Sequence, residues 1–150
     1  MRRFRFPLVV MSLLIFLSTS SFAFNEILWT SVFINSTPGG SYFVPGDTLT
    51  GTALAEVEND LGQPEFWFFC RGKIYNGNTG DGMTEYSIDG AWVSGGGTAQ
   101  LSPAGSQYAV PLEGVTAHTY FYQVDLGMET FLPPPNVYDV AYDYFMMEGD

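Results

Sequence analysis

The chain has one cysteine, one histidine and five lysines or arginines in 150 residues. A single cysteine excludes an internal disulfide framework and a multi-thiolate metal site. Five basic residues against 16 acids leave no cation cluster of the kind that neutralises phosphates, so nucleic acid is not an expected partner. Charged residues make up only 14% of the chain and hydrophobic ones 46%, which is the opposite of a disordered composition. Uninterrupted helix-length segments are also missing. Pro38-Gly39-Gly40, Pro45-Gly46, Gly62 to Pro64, Gly95-Gly96-Gly97 and Pro133-Pro134-Pro135 break the chain into short pieces.

The first 23 residues read as an export signal. Arg2, Arg3 and Arg5 give a positive start, Pro7 to Leu17 is almost wholly apolar, and Ser21-Phe22-Ala23 places small residues where a signal peptidase reads. The apolar run is shorter than the roughly 20 residues of a spanning helix. Cleavage is expected before Phe24, and no later stretch is apolar enough to span. Removal of this segment leaves Arg71 and Lys73 against all 16 acids, a net charge of −14 with His118 neutral. Such a surface keeps a protein soluble, repels anionic lipid and attracts divalent cations. The expected localisation is secreted, periplasmic or at the cell surface. Residues 24–150 suit one domain.

Within that domain the pattern alternates with period two. Tyr138, Val140, Tyr142, Tyr144 and Met146 share an apolar face opposite Asp139, Ala141 and Asp143. Tyr120, Tyr122, Val124 and Leu126 oppose Thr119, Phe121, Gln123 and Asp125. Phe66, Phe68, Cys70 and Ile74 oppose Glu65, Arg71 and Lys73, while Leu49, Ala53, Ala55 and Val57 oppose Thr50, Thr52 and Glu56. Tyr86, Ile88 and Trp92 oppose Glu85, Ser87 and Asp89. Alternation marks half-buried antiparallel strands, and each apolar face is expected to point at the core. The predicted strands are 26–34, 48–58, 65–75, 84–94, 97–102, 106–112, 117–126 and 136–147. Seven or eight short strands point to a two-layer sandwich or a barrel. Asn76 to Gly82 reads as an exposed loop, and Pro133 to Pro135 as a stiff extended link.

Val44-Pro45-Gly46-Asp47-Thr48-Leu49, a strand, and then Glu58-Asn59-Asp60-Leu61-Gly62 resemble the opening of bacterial immunoglobulin-like, cell-adhesion-related domains. The likeness covers residues 44–62. It implies an all-β, antiparallel immunoglobulin-like β-sandwich on an exported protein, adhesive or spacer-like, with no catalytic residues to carry over.

Candidate chemistry is sparse. Cys70 and His118 make a nucleophile pair on paper, but alternation turns both inward, where a thiol is inert packing. No Gly-x-Ser-x-Gly elbow, His-Glu-x-x-His motif or phosphate loop is present. The chain is therefore read as a non-enzyme. Asp125, Asp139 and Asp143 are expected to project outward on two strands, and Asp81 and Glu85 flank the Asn76–Gly82 loop. Calcium is the ion these five oxygen donors would take, although their spacing does not match the calcium-loop pattern. The plain alternative is a solvated face that discourages edge pairing. Trp67, Phe69 and Tyr75 lie opposite Phe66 and Phe68, so one strand is apolar on both sides. It is then either a covered central strand or an aromatic patch for a sugar ring, a peptide or another subunit. The first strand is similarly two-sided and would suit strand addition in trans. Asn35-Ser36-Thr37 matches a glycosylation sequon, with Pro38 following.

The expected function is a non-catalytic interaction or structural module of the cell surface or envelope. Its partner would be a protein or glycan, with self-association open. The alternatives are a carbohydrate-binding module using the aromatic strand and a self-assembling fibre subunit. No cofactor is required, and calcium is the open option.

Overall fold

The described residues form nine strands and no helix: β1 (Glu26–Ser36), β2 (Tyr42–Phe43), β3 (Thr48–Glu58), β4 (Phe66–Asn76), β5 (Ser87–Val93), β6 (Thr98–Leu101), β7 (Ser106–Ala109), β8 (Thr119–Glu129) and β9 (Asn136–Met147). The computed structural model describes residues 26–37, 39–129 and 136–149, and within them the side chains of all but 26–32, 35 and 136–138. The expected signal segment, the triple-proline link, and the side chains of Tyr138, Asn35 and most of β1 therefore lie outside the described residues.

The strands form two sheets. In the first, β3 is central: β1 pairs along one edge, and β6 and β7 pair with opposite ends of the other edge. The second has the order β2-β9-β8-β4-β5, antiparallel except for the short β2, which runs parallel to β9. Eight of these strands match the expected ones closely. The ninth, β2, is only two residues long, too short to carry a period, and it makes the second sheet mixed.

The turn before β3 follows from its residues. Pro45 fixes its own φ, Gly46 takes φ +95°, and the Asp47 amide donates to the Val44 carbonyl at 3.1 Å. The Asp47 side chain closes the turn from the other side, accepting from the Val44 amide at 3.0 Å. After β3, Asn59 is fully buried and ties two connections together. Its Nδ2 donates to the carbonyls of Pro64 at 2.8 Å and Val93 at 2.7 Å, and its amide donates to the Gly97 carbonyl at 2.9 Å.

One core fills the space between the sheets. Leu49, Ala53, Ala55, Val57 and Leu101 come from the first sheet; Phe68, Cys70, Ile74, Tyr120, Tyr122, Val124, Leu126 and Phe145 come from the second. Each large side chain buried in this way contributes about 1.5–3 kcal/mol. Tyr122 occupies the tightest place. A Cβ at Gly51 on β3 would strike its ring, and one at Gly72 on β4 would strike its hydroxyl end. Two glycines on facing sheets thus make the slot that an aromatic ring fills.

The inward faces expected for β3, β4 and β8 hold. Those expected for β5 and β9 are reversed. Trp92 and Ile88 are exposed at 64% and 61%, Tyr86 is exposed as well, and Val93 is the buried residue of β5. On β9, Val140, Tyr142, Tyr144 and Met146 are exposed and Phe145 is buried. Register explains both reversals. Trp92 pairs with Trp67 and Ile88 with Arg71, whose side chains point away from the core. Tyr142 pairs with Gln123 and Tyr144 with Phe121, again on the outer side of β8, whereas Phe145 pairs with the buried Tyr120. Side chains directly opposite each other in a ladder share a face, so β4 and β8 dictate which way their neighbours turn.

Candidate functional site

The outer face of the β9-β8-β4-β5 sheet gathers the unusual side chains of the chain. Along β4 the outward positions are Trp67, Phe69, Arg71, Lys73 and Tyr75. Register sets Trp92 and Ile88 on one flank, Phe121, Gln123 and Asp125 on the other, and Val140, Tyr142 and Tyr144 beyond those.

Aromatic contacts cross the strands. Trp67 and Trp92 have centroids 5.7 Å apart at 59°, and Tyr75 stacks on Phe121 at 5.2 Å and 12°. Phe121 meets Tyr144 at 6.0 Å, and Tyr144 meets Tyr142 edge-on at 5.5 Å. The row continues from β4 across to β9. Such pairs add about 0.5–1.5 kcal/mol each beyond area burial.

A polar seam interrupts the rings at the middle of the sheet. Arg71 Nε donates to Asp125 Oδ2 at 3.0 Å, and Gln123 Nε2 donates to Asp125 Oδ1 at 2.8 Å. Asp125 is buried, so the pair and the amide together satisfy a carboxylate withdrawn from water. The Arg71 guanidinium lies 4.6 Å from the Tyr86 ring and 5.5 Å from that of Phe69, which it helps to bury. Lys73 Nζ lies 5.0 Å from the Tyr86 ring and 5.7 Å from that of Tyr75. The Tyr75 and Tyr86 hydroxyls are 2.8 Å apart. Burial, then the hydrogen bond to Tyr86, pushes the Tyr75 phenol well above its ordinary range, so it stays protonated.

Of the residues singled out in the sequence, Trp67, Phe69 and Tyr75 do share this face. They form its floor: Phe69 is buried, and Trp67 and Tyr75 are half-buried. On these four strands the most open rings are Trp92 and Tyr142, the latter 58% exposed, although alternation alone points both at the core. The signal for them lay in pairing, which a one-dimensional pattern does not contain.

The five carboxylates proposed for calcium do not converge. Asp125 faces outward and is taken by Arg71 and Gln123. Asp139 and Asp143 pair with the inward-facing Leu126 and Tyr122, so they lie on the opposite face of the sheet from Asp125, although both are exposed. This corrects the expectation of three outward acids. Their carboxylates accept from the backbone amides of the next residues, Val140 at 2.9 Å and Tyr144 at 2.8 Å. Asp81 accepts from the Thr79 hydroxyl at 2.7 Å within the exposed loop, and Glu85 is exposed beyond that loop. Among the described residues, no three His, Cys, Asp or Glu side chains are grouped as metal ligands.

Cys70 and His118 are likewise separate. Cys70 is fully buried opposite Leu126, and desolvation raises its thiol pKa to about 12, with Asp89 and Asp125 adding to the effect. His118, expected inside, is exposed, because it precedes β8 and the alternation has not yet begun there. Tyr120, two residues further on, pairs with Asn76, six residues along β4 from Cys70, or roughly 20 Å of strand. The two side chains form no nucleophile–base pair.

No family model and no curated protein gives a significant match to this chain. Among solved structures it is similar to a protein from Archaeoglobus fulgidus, with a TM-score of 0.47 and 11% identity over 81% of this chain and 97% of that one. It is also similar to Spo0M, a sporulation control protein from Bacillus subtilis, with a TM-score of 0.35 and 14% identity over 81% of this chain and 50% of that one.

Proposed function

We propose that this chain is an exported, non-catalytic binding module of the cell surface or envelope, docking its partner on the outer face of the five-stranded sheet. The observation that carries this reading is the run of exposed apolar side chains on one face: Ile88, Trp92, Val140, Tyr142, Tyr144 and Met146. An open apolar face of this kind is a common mark of an interaction surface in soluble proteins. The two facing sheets and their single core are the scaffold, which we take as an immunoglobulin-like sandwich carrying a mixed outer sheet.

A sugar partner is the second reading, and the phenols of Tyr75 and Tyr86 favour it. They set hydrogen-bonding groups among flat rings, the combination that sugar rings engage. Assembly into fibres through β1 is the weaker alternative, because β1 is paired with β3 of its own chain from Glu26 to Ser36.

Two measurements test the proposal. N-terminal sequencing of the chain recovered outside the expressing cell should read from Phe24; recovery of the intact chain in the cytosol contradicts export. Glycan-array binding of the protein should be lost in Trp92→Ser/Tyr142→Ser, while circular dichroism shows the all-β fold retained and the melt lowered only by the two lost ring pairs. Binding that survives both substitutions moves the docking face elsewhere.

A further inference from the structure

After residue 5 the chain has two basic side chains, Arg71 and Lys73, against 16 acids. Both sit on the outer face of β4, in the middle of the aromatic row. Arg71 is matched by Asp125 at 3.0 Å. Lys73 pairs across the ladder with Gln123, whose amide is turned to Asp125 instead. Among the described residues no carboxylate lies within 4 Å of the Lys73 ammonium, despite the excess of acids. Its surroundings are the faces of Tyr75 and Tyr86. Gly82 gives it room: a Cβ there would collide with the end of the lysine side chain. The two tyrosine hydroxyls share one hydrogen bond, so whichever of them donates, the other keeps a proton to offer outward.

From this we infer that the outer face takes a carboxylate-bearing sugar, a uronic-acid glycan, with Lys73 and the spare tyrosine hydroxyl on the carboxylate and the neighbouring rings against the sugar. The inference rests on the binding-module reading above and names the ligand class of the same face. Charge complementarity selects the occupant. The only cations of a strongly acidic domain lie here, and a carboxylate is the group that Arg71 already holds one step along the ladder. A second copy of the chain fits worse, because a two-fold contact through this face would offer Lys73 the partner's own cations in place of a carboxylate.

Calorimetric titration of the purified protein with polygalacturonate tests this, with neutral dextran and poly-glutamate as comparisons. The expected result is saturable binding to polygalacturonate, and weaker binding to both comparison polymers. Lys73→Met should weaken it about tenfold or more, the size of a lost charge-assisted hydrogen bond. Lys73→Arg should restore part of the loss. Circular dichroism melts of both variants should stay close to the parent, since the half-buried Lys73 holds only ring contacts to Tyr75 and Tyr86. Equal binding of dextran, undiminished in Lys73→Met, overturns the carboxylate assignment while leaving a sugar-binding face intact. Equal or tighter binding of poly-glutamate overturns the sugar. No binding of polygalacturonate overturns the inference outright, and the array experiment then decides the wider reading separately.

Discussion

Arg71 and Asp125 stand opposite each other on adjacent strands, β4 and β8, with Nε and Oδ2 3.0 Å apart on the outside of the sheet. Their exposure differs. The Asp125 side chain is only 6% accessible and that of Arg71 27%. The carboxylate is therefore the member that cannot do without its partner.

An asymmetry in the mutants follows. Arg71→Met should destabilise by about 1–3 kcal/mol, because it leaves a buried carboxylate with only the Gln123 amide. Asp125→Asn keeps an oxygen for that amide and frees an arginine that reaches water, so it should cost less. Urea unfolding midpoints at constant m-value check the order. A larger loss for Asp125→Asn contradicts the assignment.

The slot around Tyr122 makes a second prediction. Gly72→Ala introduces a methyl group against the buried Tyr122 hydroxyl and ring, and Gly51 on the facing sheet blocks the ring from retreating. Overpacking of this kind costs about 1–3 kcal/mol. Combining Gly72→Ala with Tyr122→Leu should recover part of that loss relative to the sum of the single changes. Strict additivity would show that the two sites do not touch.

Alkaline pH should loosen the fold in two stages. Burial raises the Cys70 thiol from 9.0 to about 12, and it raises the Tyr120 and Tyr122 phenols from 10.0 to about 12. The folded state thus keeps protons that the unfolded chain gives up. This contribution is fully present below pH 9 and is lost as pH rises toward 12, by up to about 1.4 kcal/mol per pH unit for each group. Cys70 acts first, between pH 9 and 10, and the tyrosines join above pH 10. Thermal melts across this range should therefore show Cys70→Ala flattening the first stage and sparing the second. A flat profile to pH 11 in the parent contradicts the burial of these groups.

Much of the fold was legible because β3, β4 and β8 each have a nearly continuous inward row: Leu49 to Val57, Phe68 to Ile74, and Tyr120 to Leu126. The outer strands β5 and β9, each laddered along its length to one neighbour, carried less information. In β9 the sequence offers two candidate faces, one with Tyr142 and Tyr144, the other with Phe145 following Asp139 and Asp143. Alternation marks the faces apart without giving the sign. Hydrogen-bond register to β8 supplies the sign, and it places the tyrosines outside. The same holds for Trp92 on β5. The site was half legible for this reason. Its floor of Trp67, Phe69 and Tyr75 sits on a central strand whose two-sided character shows in the sequence. Its open rings sit on strands whose orientation is a property of pairing. The acids of β9 follow the same rule, since Asp139 and Asp143 share the face of Phe145, opposite to that of Asp125.

Hydroxyl-radical footprinting of the folded protein reads that orientation directly, residue by residue. Trp92, Tyr142 and Tyr144 should oxidise rapidly, while Tyr120, Tyr122 and Phe145 remain protected until the chain unfolds. Protection of Trp92 and Tyr142, with rapid oxidation of Phe145, would turn β5 and β9 over and remove the aromatic docking face.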